Sequence, residues 1–305
     1  MNVTFRQLKV FEAVARHLNF TRAAEELYLT QPAVSMQVKQ MESVIGLPLF
    51  EQMGKRIYLT EAGEVMRHYS RVIAEDLREA AEAMEELKGT EGGRLQISVA
   101  STVNYFATRL LSDFCRQHPG VRVSLDVTNR ESLLHQLEDN RTDIVLMGKP
   151  PDTLEVVAEP FMDNPLVVIA PADHPLAKRR RIPLSQLRGE PFLMREQGSG
   201  TRIAMERFFS DKGMAPSTSI EMTSNEAIKQ SVQAGLGLGI VSLHTVEVEL
   251  EIGRLITLNV DSFPIMRRWY LVHRKGKRLS GAAEAFKEFV LAYSNEMADT
   301  ASPIR

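Results

Sequence analysis

The sequence predicts an all-α winged helix-turn-helix N-terminal domain over residues 1–60, a long linker helix over 61–88, and an α/β two-lobed domain over 89–305. Three observations predict it. The first ninety residues hold only two prolines, Pro32 and Pro48, and carry apolar residues at helical spacing. The stretch after Thr60 repeats apolar residues every three or four positions without a break. Beyond Gly89-Thr90-Glu91-Gly92-Gly93, strand and helix patterns alternate in two successive sets.

The elements follow in order. Phe5, Leu8, Val10, Phe11, Val14, Ala15 and Leu18 mark a first helix. Asn19 or Thr21 can cap a short second helix whose inward residues are Ala23, Ala24 and Leu27. After the tight connection Tyr28-Leu29-Thr30, Thr30 is expected to cap a third helix, with Pro32 tolerated in its first turn and Gly46 ending it. Two short helices joined by such a turn make a helix-turn-helix. Leu49-Phe50, a turn at Met53-Gly54-Lys55-Arg56 and the alternating Ile57-Tyr58-Leu59 add a hairpin wing. The next helix runs to about Lys88, roughly 40 Å at 1.5 Å per residue. Met66, Tyr69, Ile73, Leu77 and Met84 form its seam, which a second subunit would cover. The alternative is a helix lying on its own domain.

In the α/β part, strands are expected at Leu95–Ala100, Val121–Val127, Ile144–Met147, Leu166–Ile169, Phe192–Met194, Ser219–Met222, Leu238–Ser242 and Tyr270–Val272. Helices are expected at Thr102–Gln117, Glu131–Asn140, Thr201–Lys212, Asn225–Ala234 and Ala282–Tyr293. This alternation implies parallel sheets with covering helices. The first lobe takes about 94–162 and 268–295, and the second about 163–267, with a crevice between them.

Composition excludes several classes. The 305 residues are 44% apolar and 25% charged, with net charge −2, so any nucleic-acid contact is a local patch. No apolar run suits a membrane span or a signal peptide, and the expected compartment is the cytoplasm. Cys115 is the one cysteine, and the seven histidines never fall at i, i+4, so no disulfide framework or zinc-helix motif exists. Gly235-Leu236-Gly237-Leu238-Gly239 lacks the dinucleotide spacing, and Gln197-Gly198-Ser199-Gly200 lacks that of a nucleophile elbow. No metal, organic cofactor or catalytic residue is expected.

On the third helix, Gln31, Ser35 and Lys39 share the face opposite the apolar one. Gln pairs bidentately with adenine and Ser tolerates several bases. Arg6, Arg22, Lys55 and Arg56 fit phosphate contacts. The DNA-facing set is Arg22, Thr30, Gln31, Pro32, Ser35, Met36, Lys39, Lys55 and Arg56. In the α/β part, three strands run into hydroxyl- or glycine-rich helix starts: Ser101-Thr102-Val103-Asn104, Gly198-Ser199-Gly200-Thr201-Arg202 and Thr223-Ser224-Asn225. Free N–H groups there attract anions, and Arg202 adds a bidentate partner. Plain N-capping favours the same residues. The effector set is Ser101, Thr102, Asn104, Gly148, Ser199, Thr201, Arg202, Thr223 and Asn225.

Phe20-Thr21-Arg22-Ala23-Ala24-Glu25-Glu26-Leu27, Thr30-Gln31-Pro32-Ala33-Val34-Ser35, Leu49-Phe50 and Leu59-Thr60-Glu61-Ala62-Gly63 resemble the LysR-type transcriptional regulators. Downstream, His174-Pro175-Leu176, Glu196–Arg202 and Gly235–Ile240 resemble that family's effector domain. Ser35–Gln40 and Leu49–Lys55 look most like the CbbR-type regulators of RuBisCO operons. The resemblance implies a periplasmic-binding-protein-like effector domain, a homodimer or homotetramer on double-stranded promoter DNA, and activation tuned by a small coinducer, which the three helix starts suggest is an anion. It also implies action on RNA polymerase access; the lack of a long apolar run predicts no membrane partner. The CbbR-type likeness points to a phosphorylated metabolite as coinducer. Met36 and Gln52 stand where many members carry arginine, so the operator of a typical member does not transfer. The alternative is an enzyme or binding module using the cleft, with the N-terminal helices serving assembly.

Overall fold

The structure is a computed structural model that describes residues 2–54, 56–87 and 92–300. The chain divides into two units, Met1–Gly89 with Asp139–Arg141, and Thr90–Glu138 with Thr142–Arg305.

The first unit contains α1 (Phe5–His17), α2 (Phe20–Glu26), α3 (Gln31–Ile45), a hairpin of β1 (Phe50–Met53) and β2 (Arg56–Leu59), and α4 (Glu61–Leu87). A capping box starts α1: Gln7 N–H donates to Thr4 Oγ1 at 3.3 Å, and Thr4 N–H donates to Gln7 Oε1 at 2.9 Å. Asn19 caps α2, its Oδ1 accepting from the N–H groups of Thr21 (2.8 Å) and Arg22 (3.0 Å). Thr30 occupies the cap position of α3 but its side chain makes no capping bond, contrary to expectation. Pro32 in the first turn offers no N–H for it to accept.

Small residues set the helix spacing. Ala13, Ala23 and Ala24 join Val10, Val14, Val34 and Val38 in one buried cluster. Leu8, Phe11, Ala15, Met41 and Leu49 form a second, against which Ala62 and Met66 of α4 pack. Met66 therefore belongs in part to the core of its own domain rather than to a free seam. Farther along α4, Tyr69, Ile73, Leu77 and Met84 are exposed, with Tyr69 at 58%.

The wing is tied to α3 by Glu42. Its Oε1 accepts from the N–H groups of Leu49 (2.8 Å) and Phe50 (3.3 Å). The start of α4 is tied to the same segment: Thr60 Oγ1 donates to the Pro48 carbonyl at 2.7 Å and accepts from Gly63 N–H at 3.0 Å. Gly63 lies so close to the Leu49 carbonyl that a Cβ there would overlap it.

The second unit holds two five-stranded sheets. The first lobe contains β3 (Arg94–Ala100), α5 (Asn104–Gln117), β4 (Arg122–Thr128), α6 (Arg130–Glu138), β5 (Ile144–Gly148) and β6 (Val156–Asp163). The second contains β7 (Leu166–Pro171), β8 (Pro191–Arg195), α7 (Gly200–Asp211), β9 (Ser217–Met222), α8 (Asn225–Gln233), β10 (Leu238–Ser242), α9 (Glu247–Glu251) and β11 (Leu255–Leu258). The chain then returns as β12 (Arg268–Arg274) and closes with α10 (Gly281–Thr300).

Strand orders are β4-β3-β5-β12-β6 and β11-β7-β10-β8-β9. In each, four strands run one way and one runs against them, β12 in the first sheet and β7 in the second. The expected all-parallel sheets are thus mixed. The sequence reading missed β6, β11 and α9. β6 is an edge strand carrying Pro160 and half-exposed along most of its length, and β11 is a four-residue edge, so neither shows a clear period. Each lobe has its own core, one around Leu95, Ile97, Phe114, Leu271 and Phe286, the other around Val168, Phe192, Phe209 and Ile240. Cys115 packs against the first of these.

The two segments that join the lobes run side by side. Leu166 and Ile265 exchange N–H···O bonds at 3.0 Å, and Asn164 N–H donates to the Arg267 carbonyl at 2.9 Å.

The contact at Gly63 yields a prediction. Gly63→Ala should destabilise the N-terminal domain by about 1–3 kcal/mol, the scale of overpacking. The thermal transition of the full chain, followed by far-UV circular dichroism, checks it; an unshifted helical transition would refute the close contact.

Candidate DNA-binding face and effector cleft

On α3, Val34, Val38 and Met41 are buried, which turns Gln31, Ser35 and Lys39 outward. Together with Pro32, Met36, Gln40 and Ser43 they line an open concave face of about 520 Å³. Gln40 and Ser43, one and two turns beyond Met36, were not in the sequence-derived set. Arg6, Arg22 and Arg56 are exposed, as is Lys39, and none forms an ion pair among the described residues. Thr30 is exposed beside them. Lys55 lies outside the described residues. Gln52, which stands where a wing arginine was expected from the family pattern, donates from Nε2 to the Gly54 carbonyl at 3.0 Å and so braces the wing turn.

In the second unit, the carboxyl ends of β3, β4, β5 and β8 converge on one cavity between the lobes. Its walls are Ala100, Ser101, Thr102, Asn129, Arg130, Met147, Gly148, Arg195, Ser199, Gly200, Thr201, Arg267 and Trp269. Its volume is about 20 Å³, space for about one water-sized sphere. The structure therefore brings Ser101, Thr102, Gly148, Ser199 and Thr201 together as the sequence suggested.

It does not bring Asn104, Arg202, Thr223 or Asn225 to the cavity wall. Helix α5 begins at Asn104, two residues past Thr102, and Asn104 is not among the wall residues. Arg202 is committed elsewhere: Nε donates to Glu206 at 2.7 Å, and Nη1 donates to Glu221 at 2.5 Å and to the Arg195 carbonyl at 3.0 Å. Those carboxylates hold its pKa above the ordinary value, Glu206 first. Its sequence-assigned role as the anion partner is corrected to a tie among α7, β8 and β9. Asn225 accepts from Arg195 Nη1, and the Thr223 carbonyl accepts from Arg195 Nη2 at 3.5 Å, so both hold an arginine in place.

The cationic groups the sequence reading missed are Arg130, Arg195 and Arg267. Arg195 is buried and forms a two-point ion pair with Glu196 at 2.7 and 2.9 Å; its Nη2 also donates to Ser101 Oγ at 3.3 Å, linking the lobes. Arg130 and Arg267 have no carboxylate partner among the described residues. Arg267 Nη1 donates to the Gly200 carbonyl at 3.0 Å and Arg130 Nη1 to the Gly148 carbonyl at 3.5 Å. Burial depresses the pKa of both; for Arg267 the nearby Arg130 charge adds to burial and the value falls to about 10. At neutral pH that shift is a cost on the order of 3 kcal/mol.

Two further features make the cavity a donor site. The hydroxyls of Thr102, Ser199 and Thr201 have no protein partner among the described residues. The Trp269 indole N–H is buried and unpartnered. No carboxylate, histidine or cysteine lines the cavity, so it offers no acid–base pair. A small anion would satisfy two charges and several donors at once.

Comparison with known proteins decides the family. Residues 5–64 match the bacterial regulatory helix-turn-helix of the lysR family, and residues 88–295 match the LysR substrate binding domain. The chain belongs to the LysR family. This LysR-family chain is 61% identical to the RuBisCO operon transcriptional regulator of Allochromatium vinosum, over 97% of its own length and 98% of the relative's. It is 44% identical to the HTH-type transcriptional activator CmpR of Synechocystis, over 96% of each. Among solved structures it resembles the Synechocystis CcmR regulatory domain in complex with 2-PG, with 42% identity, TM-score 0.65, and coverage of 68% of this chain and 99% of that one. The protein is accordingly a DNA-binding transcriptional regulator, as its relatives are. No helix among the described residues is long and apolar enough to cross a membrane.

The buried charges yield a prediction. Because Arg267 holds its proton less tightly folded than unfolded, its penalty is fully present below about pH 10 and is relieved as pH rises toward the ordinary arginine value. Arg267→Met should therefore raise the thermal midpoint of the ligand-free protein at pH 7. The same change should remove most of the stabilisation that millimolar phosphate gives the wild type. Differential scanning calorimetry with and without phosphate reads both, and an Arg267→Met protein stabilised by phosphate as strongly as wild type would refute the pairing.

Proposed function

We propose that this LysR-family regulator activates a carbon-fixation operon in response to a small phosphorylated carboxylate of the 2-phosphoglycolate type, bound between its lobes. The observation that carries the ligand class is the pair of partly buried guanidinium groups, Arg130 and Arg267, with no carboxylate partner among the described residues. The similarity to a regulatory domain in complex with 2-PG supports the same class.

In this reading the anion pairs with Arg130 and Arg267 and takes hydrogen bonds from Ser101, Thr102, Ser199, Thr201 and Trp269. The Gly148 carbonyl orients Arg130. Residues of both lobes then hold one ligand, which is larger than the cavity of about 20 Å³ left by the lobes as they stand, so binding sets the spacing of the lobes. That spacing changes how subunits dock, and with it DNA bending and RNA polymerase access. The ligand drives this only as far as its affinity differs between the two states. The exposed stripe Tyr69, Ile73, Leu77 and Met84 joins α4 to its copy in a dimer, and dimers pair into a homotetramer. On DNA, Gln31 and Ser35 read base edges, while Arg22, Lys39, Lys55 and Arg56 contact phosphates, with Thr30, Pro32 and Met36 at the groove wall. A cytoplasmic location follows from this role.

Each interface has its own test. Gln31→Ala or Ser35→Ala should cost roughly 1–3 kcal/mol of operator affinity with little loss on random DNA. Footprinting on the native promoter reads this, and unchanged discrimination would mean another face reads the bases.

Tyr69→Glu with Leu77→Glu should give smaller species in sedimentation, because a buried unpaired carboxylate is costly. An unchanged oligomer would place the subunit contact elsewhere.

Arg130→Gln should abolish calorimetric binding of 2-phosphoglycolate to the full chain while leaving ligand-free operator binding intact. Tight binding of that anion by Arg130→Gln would overturn the cleft assignment.

A further inference from the structure

Arg130 and Arg267 do not face the cleft alone. They also form one end of a wider groove of about 490 Å³, bounded by the 149–152 loop, one side of α7 and the crossover segment 265–267. Its apolar wall includes Pro150, Ile203, Phe208 and Met266, of which Ile203 is 48% and Met266 61% exposed. Lys149 pairs with Asp152 at 3.0 Å and Arg207 with Asp211 at 4.0 Å, both in open solvent, so these four charges nearly cancel. What remains uncompensated is the charge of Arg130 and Arg267.

We propose that this groove is a second ligand site, back to back with the cleft, for an amphipathic anion: a phosphate or carboxylate joined to a flat apolar body. The proposal rests on the cleft reading only in that the two sites share Arg130 and Arg267. Three observations carry it. The volume, about 490 Å³, falls in the range of small-molecule sites. The exposed apolar side chains lie beside the unpaired cations rather than scattered. The charge is positive and has no carboxylate partner among the described residues. An anionic head would lie on the two guanidinium groups, with the body along Ile203 and Met266.

The shared arginines fix the sign of coupling. Each guanidinium has a fixed fork of donors, so donors turned to one anion are lost to the other, and two anions on either side of the same pair repel. Groove and cleft ligands therefore weaken each other's binding, by the same factor in both directions. The regulator would read the balance of two anions rather than the level of one.

The test uses the full-length protein in calorimetric titrations with 1-naphthyl phosphate as groove probe and 2-phosphoglycolate as cleft probe. Ile203→Asn with Met266→Asn should weaken naphthyl phosphate about ten-fold or more, the scale of two lost apolar contacts, and change 2-phosphoglycolate by less than about two-fold. Thr102→Val should do the reverse. Saturating 2-phosphoglycolate should weaken naphthyl phosphate about five-fold or more, the lower end of typical couplings. The proposal is overturned if naphthyl phosphate does not bind, if it ignores the Ile203/Met266 change, or if Thr102→Val abolishes it. Failure of 2-phosphoglycolate to bind, with naphthyl phosphate binding still dependent on Ile203 and Met266, would defeat the cleft reading and leave the groove standing.

Discussion

Arg267 is charged, largely buried and without a carboxylate, and it lies on the segment that carries the chain from the second lobe back to the first. The rest of the α/β unit is arranged around that constraint. Its one strong protein contact is the Gly200 carbonyl at the start of α7, so the arginine of the crossover is tied to the opposing lobe. Arg130, its like-charged neighbour, enters from the end of β4. Two such like charges in one cavity repel each other, and in the proposed reading an anion between them offsets that cost.

Arg195 shows how the same cavity treats a charge that is structural. It has Glu196 on two nitrogens, Asn225 on a third contact and Ser101 across the cleft. Each of its three nitrogens is bonded, and the group acts as a brace between β8, α8 and the first lobe. The contrast separates binding groups from scaffolding groups without reference to any ligand. A buried cation with its hydrogen bonds complete holds structure; one with directions open awaits a partner.

Much of this was legible in the sequence because local rules govern it. The helix-turn-helix follows from capping residues, small apolar residues at helical spacing and Gly46, all of which act within a few positions. The strand-to-helix turns at Ser101-Thr102 and Ser199-Thr201 were readable for the same reason. The arginines were not, because their meaning depends on partners far away in sequence. Arg202 stands beside the glycine-rich turn and invited the role of anion partner, yet Glu206 and Glu221 occupy it. Arg267 sits next to Arg268 ahead of Trp269 and reads as surface charge until β12 is inserted between β5 and β6. Arg130 had a usable signal: Thr128-Asn129-Arg130 closes a strand much as the chosen turns do. The mixed sheets were hidden likewise, since strand direction is set by chain crossings that leave no periodic trace.

The energies place these features in one mechanism. A ligand shifts a two-state protein only by its difference in affinity for the states, and couplings of 1–3 kcal/mol are typical. The depressed pKa of Arg267 corresponds to a penalty of the same order, about 3 kcal/mol at neutral pH. That penalty exists only where the lobes bury the guanidinium. In an opened cleft water would solvate it and most of the cost would vanish. In the proposed reading, an anion between the lobes stabilises the arrangement that holds it chiefly by pairing with a charge that burial otherwise penalises. In the proposed reading the switch needs two partly buried cations without carboxylate partners among the described residues, Arg130 at the end of β4 and Arg267 on the segment that joins the lobes.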